Sequence, residues 1–221
     1  MNFYIKQLLR ILEKIPGLCL LQVANFGDVK ILMLPKIGTR SIRNSLIRFH
    51  YGSATNISKS HAWHHITYHT RKSLNNELKS NEGKILVFLR EPDKRIASCW
   101  RQKISVPESV IPYFIFYFPY LYPRMSYLKF VDRILKIPVP LMEKHFIPVS
   151  YLIGKLDLEN LYLNRLEKLN DVLKELDPDG IFEHANSTQS TGNVKGSEVL
   201  EIKNSSVYIK DYALWQSTQP N

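Results

Sequence analysis

The stretch Val29–Phe49, VKILMLPKIGTRSIRNSLIRF, constrains the fold more than any other part of the chain. Val29–Leu34 is apolar and partly β-branched, interrupted only by Lys30, which is the pattern of an inner strand in a parallel sheet. Pro35 ends the run and Gly38 permits a sharp turn. Thr39 suits a helix N-cap, and Ile42, Leu46 and Phe49 recur at helical spacing on one face. A strand entering a helix through so short a loop presents the helix's first backbone N–H groups beside Lys36 and Arg40, a ready anion site.

A second unit repeats the plan. Lys84–Arg90, KILVFLR, has strand character, and Pro92 opens a helix that runs to Lys103. An arginine at the end of such a strand can grip a phosphate with a bidentate fork, and a hydroxyl from the following helix can donate to the same oxygens.

The first loop is not the common triphosphate loop, in which lysine follows the glycines; here Lys36 precedes Gly38. The string PKIGTRS at Pro35–Ser41 instead resembles the 5′-phosphosulfate loop of sulfotransferases that use 3′-phosphoadenosine 5′-phosphosulfate (PAPS). The string REPDKRIAS at Arg90–Ser98 resembles their 3′-phosphate motif, R-x-P-x-x-R-x-x-S. The resemblance runs from about Val29 to Trp215. It implies a P-loop-like sulfotransferase fold with PAPS as donor and no metal. Lys36 would stand against the bridging oxygen and sulfonate, and Gly38, Thr39, Arg40 and Ser41 would wrap the 5′-phosphate. Arg90 and Ser98 would select the 3′-phosphate, with Arg95 supporting the helix or a phosphate edge.

The proton acceptor is sought between the two units, in SHAWHHITYHT at Ser60–Thr70, which holds four of the seven histidines. Imidazole has the pKa for taking a hydroxyl proton near neutrality. Members of the resembled family carry a lysine-histidine-x-threonine-like string here. His64-His65-Ile66-Thr67 is the nearest match, with histidine in place of the lysine, so His65 is the preferred base, followed by His64 and His61. On a continuous helix His61, His65 and His69 would instead line one face and could hold a transition metal. Packing histidines without chemistry are the plainer alternative.

At 221 residues the chain suits a single domain, 1–221, able to bury roughly 70% of its unfolded surface. Thirty Lys plus Arg against twenty Asp plus Glu give a formal charge of +10, which favours anionic ligands. Two cysteines, Cys19 and Cys99, do not make a disulfide framework. No apolar run reaches the roughly 18 to 20 residues of a membrane span. The expectation is a cytoplasmic protein similar to soluble bacterial members of the family, with peripheral contact to an anionic membrane left open.

Around these units, residues 1–15 form an amphipathic helix with Ile5, Leu8, Leu9 and Leu12 on one side. Ile111–Tyr122, IPYFIFYFPYLY, is a packing segment or a wall for sugar or adenine. Ser126 caps a helix to Lys136. His145-Phe146-Ile147-Pro148 resembles a histidine-aromatic-x-proline element of the family and leads a strand over Phe146–Leu152. Tyr162, Leu166, Leu169, Leu173 and Leu176 give the core stripe of one long helix. A polar loop follows over His184–Ser197, and Ser206–Trp215 resembles the family's terminal helix, with Asp211 structural.

The expected architecture is therefore α/β, a mainly parallel central sheet flanked by helices with the donor at the carboxyl ends of its strands. The expected reaction is sulfonate transfer to an acceptor hydroxyl on a glycan or glycolipid, with no nucleic acid as partner. The alternatives are a small-molecule kinase of related fold and a non-enzymatic basic module binding nucleic acid or anionic membrane.

Overall fold

The computed structural model describes residues 20–52, 61–79, 84–105, 117, 120–178 and 202–218. Residues 1–15, most of the aromatic segment and the polar loop His184–Ser197 lie outside them. The chain forms two compact units. One holds Leu20–Arg90 and Ile153–Thr191; the other holds Glu91–Leu152 and Gly192–Ser217.

The first unit is built on an open five-stranded sheet: β1 (Leu21–Phe26), β2 (Val29–Met33), β3 (Ile66–His69), β4 (Lys84–Leu89) and β5 (Leu161–Arg165), in the order β3-β1-β2-β4-β5. The sheet is mixed rather than mainly parallel. β1 pairs antiparallel with both β2 and β3, whereas β2–β4 and β4–β5 are parallel. The reversal comes from a two-residue turn, with Phe26 opposite Val29 and Gly27 at φ 74°, a hairpin connection that tight sheets favour. Because β1 alone is reversed, β2, β3, β4 and β5 all point the same way.

Helices cover both faces. α1 (Thr39–Tyr51) buries Ile42, Ser45 and Leu46, and its Arg43 donates to Gln22 Oε1 at 3.2 Å, on the face that Gln22 shares with its partner Met33. Burying Ile42 and Leu46 stabilises this contact by about 1.5–3 kcal/mol each. α2 (Arg71–Lys79) buries Leu74 and Leu78, and its Glu77 accepts from Lys30 at 2.6 Å. Lys30 alternates with Ile31, so α2 lies on the opposite face. This cover explains why the central strands are buried on both sides, with Val23, Ala24, Ile31 and Leu32 at 1% exposure or less.

The second unit contains α3 (Pro92–Lys103), α4 (Tyr127–Lys136), α5 (Val149–Ile153) and α7 (Ile209–Gln216). α6 (Leu169–Leu176) belongs to the first. Pro92 opens α3, and Ser126 caps α4 by accepting from the Lys129 N–H. Arg95 is fully buried. It donates to the carbonyls of His145 at 3.2 Å and Ile147 at 2.7 Å and lies 3.7 Å from Asp211, which accepts the N–H groups of Val149 and Ser150. Arg95 thus supports the helix, and Asp211 is structural.

Two elements differ from expectation. Val149–Ile153 is helical, not a strand: side chains of Arg95, Tyr208 and Asp211 take the backbone groups of residues 145–150 that a ladder would have used. The expected long helix after Lys155 is interrupted by β5. Residues Leu161, Tyr162 and Leu163 alternate, and the parallel ladder to Ile85–Leu89 claims their backbone, so only the later leucines, Leu169 and Leu173, form a buried helical stripe. Among the described residues no helix is long and apolar enough to cross a membrane.

Candidate functional site at the carboxyl edge of the sheet

The loop after β2 reverses through two left-handed residues, Lys36 at φ 70° and Gly38 at φ 79°, with Ile37 between them fully buried. Left-handed backbone at a lysine is strained by about 1 kcal/mol or more and persists only where the surroundings enforce it. Ile37 anchors the turn in the core, and the approach of the next layer fixes its tip. A Cβ on Gly38 would stand 2.7 Å from Leu169 Cδ2 and 3.7 Å from Leu166 Cδ1. Gly38, not Thr39, is the N-cap, and it makes no side-chain cap. Intrahelical bonding begins with Ile42 N–H to Gly38 O at 3.1 Å, so the N–H groups of Thr39, Arg40 and Ser41 precede the helix's own ladder. The first turn carries no acidic residue; Arg40 is exposed, while Lys36, Thr39 and Ser41 are half-buried.

The register brings the second motif alongside. Leu32 is beside Val87 on parallel strands, and β2 and β4 end soon after, at Met33 and Leu89. Lys36 and Arg90 therefore follow neighbouring strands at one edge. β5 adds a residue that helical reasoning missed: its last residue, Arg165, pairs with Leu89. The signal was the short alternation before it, LYLNR, hidden by the leucine spacing that follows. Ser98 lies half-buried on α3 in the other unit.

The histidines divide between opposite edges. His61–His65 is a 3₁₀ turn and Ile66–His69 is β3, so the continuous helical face of His61, His65 and His69 is not formed. The His65 ring stacks on His50 at 3.5 Å and its Nε2 is 3.0 Å from Tyr51 Oη. His50 Nε2 in turn donates to Asn25 O at 2.8 Å. This places His65 at the C-terminal end of α1, about 16 Å of helix from Thr39, at the amino edge of the sheet. The preferred base is thus separated from the loop that carries Lys36 and Gly38, and His64, exposed in the same turn, lies with it.

His69 is the histidine at the carboxyl edge. It is the last residue of β3 and pairs with Leu21, one step beyond the Gln22–Met33 pair. Its Nε2 is 2.7 Å from Thr67 Oγ1, and its Nδ1 is 3.4 Å from Glu77 Oε2. Burial holds the imidazole below its ordinary pKa; Glu77 opposes that shift and Lys30 adds to it. A neutral ring near pH 7 is the form that accepts a proton. Basic side chains consequently stand at or just past the carboxyl ends of all four co-directional strands: Lys36 after β2, His69 on β3, Arg90 after β4 and Arg165 on β5. In open α/β sheets this edge is where ligands bind.

No protein-family model, curated protein or solved structure matches the chain. Among the described residues, no three of His, Cys, Asp and Glu come together as a metal-holding group.

Proposed function

We propose that the protein is a sulfotransferase that moves the sulfonate of PAPS to a hydroxyl of an acceptor, a glycan or glycolipid, in the cytoplasm. The observation that supports this reading is that the loops carrying Lys36 and Arg90 both follow the carboxyl ends of adjacent parallel strands, β2 and β4. The finer fold assignment, a P-loop-like sulfotransferase domain, rests on the resemblance of Pro35–Ser41 and Arg90–Ser98 to that family's motifs.

In this proposal the helix N-terminus at Thr39–Ser41 and the Lys36 ammonium hold the 5′-phosphosulfate, and Arg90 grips the 3′-phosphate. The acceptor oxygen forms a bond to sulfur as the bond from sulfur to the bridging oxygen breaks. The electron pair leaves on the 5′-phosphate, where Lys36 offsets the developing charge. The hydroxyl proton goes to the His69 imidazole, a role reassigned from His65 because His65 lies at the opposite edge. The +10 charge favours association with a doubly phosphorylated donor.

Calorimetric titration with 3′-phosphoadenosine 5′-phosphate, with ADP and ATP as controls and with or without Mg²⁺, tests the reading. Binding that requires the 3′-phosphate, is indifferent to Mg²⁺ and is lost in Arg90→Gln is the expected result. Equal affinity for all three nucleotides, or preference for ATP with Mg²⁺, overturns it in favour of a basic module or a kinase.

A further inference from the structure

The chain that leaves β5 is fixed at two places, and Arg165 stands between them. On one side Arg165 closes the parallel ladder opposite Leu89, one strand spacing of about 4.8 Å away, and Arg90 is the residue after Leu89. On the other side Leu166 and Leu169 meet the first loop: a Cβ on Gly38 would stand 3.7 Å from Leu166 Cδ1 and 2.7 Å from Leu169 Cδ2. The loop carrying Lys36 and the strand end carrying Arg90 are therefore both neighbours of one short stretch, Arg165–Leu169. All of these residues belong to the same compact unit.

This anchoring fixes the backbone from which the guanidinium extends. Arg165 is extended, at φ −78° and ψ 148°, with Leu161 buried before it and Leu169 buried after it. Rigid flanks lower the ordering cost of a contact made by a long side chain. Arg165 is half-buried and its Nε and Nη2 are shielded from water, so its charge acts on an anion with less screening than an exposed arginine's. Two arginines at neighbouring strand ends repel, as like charges across a ladder do. A dianion held by both offsets that repulsion, and the planar fork of a guanidinium suits two oxygens of a phosphate.

We propose that Arg165 is a further donor-binding residue, taking the 3′-phosphate of the nucleotide together with Arg90. This deepens the sulfotransferase reading and rests on it for the identity of the ligand. The 3′-phosphate is the assigned partner because the backbone of Arg165 itself is laddered to the strand that carries Arg90, whereas the Lys36 loop is met by the apolar side chains of Leu166 and Leu169. No motif in the sequence marks Arg165. It reaches this edge only because β5 pairs with β4.

The test measures, by calorimetry on the full chain, affinity for 3′-phosphoadenosine 5′-phosphate and for adenosine 5′-monophosphate, which lacks the 3′-phosphate. Arg165→Gln is expected to weaken the first by about 10- to 100-fold, the size of a lost charge-assisted contact, and the second by less than about twofold. Arg165→Lys, which also serves if the glutamine variant fails to fold, is expected to weaken the first by about 3- to 10-fold, since an ammonium keeps the charge without the fork. The double variant with Arg90→Gln loses less than the product of the two single losses, because one phosphate serves both arginines. An unchanged ratio of the two affinities overturns the proposal, and a lowered unfolding midpoint beside that unchanged ratio assigns Arg165 to packing. Equal weakening of both nucleotides puts the contact at the 5′-phosphate and overturns it too. Wild type that binds both nucleotides equally overturns the sulfotransferase reading itself, a result seen before any variant is made.

Discussion

Gly38 turns the loop between β2 and α1 against Leu169: the place a Cβ would occupy is 2.7 Å from Leu169 Cδ2, and Leu169 is itself 3% exposed. A left-handed backbone and a close neighbour exclude a side chain for independent reasons. Gly38→Ala is expected to cost about 2–4 kcal/mol, combining the backbone strain with overpacking against α6. Denaturant unfolding measures this. A loss under about 0.5 kcal/mol would mean that Leu169 moves freely and the loop is not held as described.

The two edges of the sheet make opposite predictions for two histidines of one short segment. His69→Asn is expected to lower turnover by about 100-fold or more with nucleotide affinity retained, as for loss of a general base. His65→Asn, which breaks only the stack on His50 and the contact to Tyr51, is expected to leave both close to wild type. Steady-state turnover of PAPS beside calorimetry separates them, and the reverse ranking would return the base to His65.

Arg95 is buried with its guanidinium between two carbonyls and Asp211. Arg95→Met leaves the His145 and Ile147 carbonyls and the Asp211 carboxylate without that partner, and is expected to destabilise by about 3–5 kcal/mol. Asp211→Asn keeps the shape but loses the charge and one acceptor towards the Val149 and Ser150 N–H groups, at a cost of about 1–3 kcal/mol. Equilibrium unfolding checks both values, and a tolerated Arg95→Met would show that the 145–150 turn holds itself.

Asp93 has its carboxyl held above the ordinary range, first by burial and then by the Glu91 charge, against the opposing hydrogen bond from the Tyr212 hydroxyl at 3.1 Å. A folded-state pKa above the unfolded 3.8 means that this group's stabilisation is full below 3.8 and is lost as pH rises through the folded value. Asp93→Asn keeps an acceptor for Tyr212 and removes the titration. The variant is expected to gain stability relative to wild type as pH rises from about 4 to neutrality, measured by thermal unfolding across that range. A difference that does not vary with pH would assign Asp93 an ordinary carboxyl.

Much of the carboxyl edge was legible because its information is local. A strand, a breaking proline, a glycine and an amphipathic helix occupy consecutive positions in Val29–Phe49, so Lys36, Gly38 and Thr39–Ser41 could be placed on a loop before α1. Lys84–Lys103 repeats the logic, and Arg90 falls at the strand's end as its position implies. The capping of α4 by Ser126 was equally local. Where local pattern was ambiguous it misled: the leucines from 161 to 176 fit one helix until the β4 ladder claimed the first of them, and that single change carried Arg165 to the edge.

The amino-acid sequence by itself determined the two strand-loop-helix units, the basic residues in their loops and the basic charge, since each is a matter of neighbouring residues and their backbone preferences. Only the tertiary structure decided which histidine shares their edge. Four residues separate His65 from His69, but in a strand that is about 13 Å, and direction follows from pairing rather than from composition. The hairpin at Gly27 reverses β1, β3 pairs antiparallel to β1, and the two reversals together point β3 along β2 and β4 with His69 at the carboxyl end.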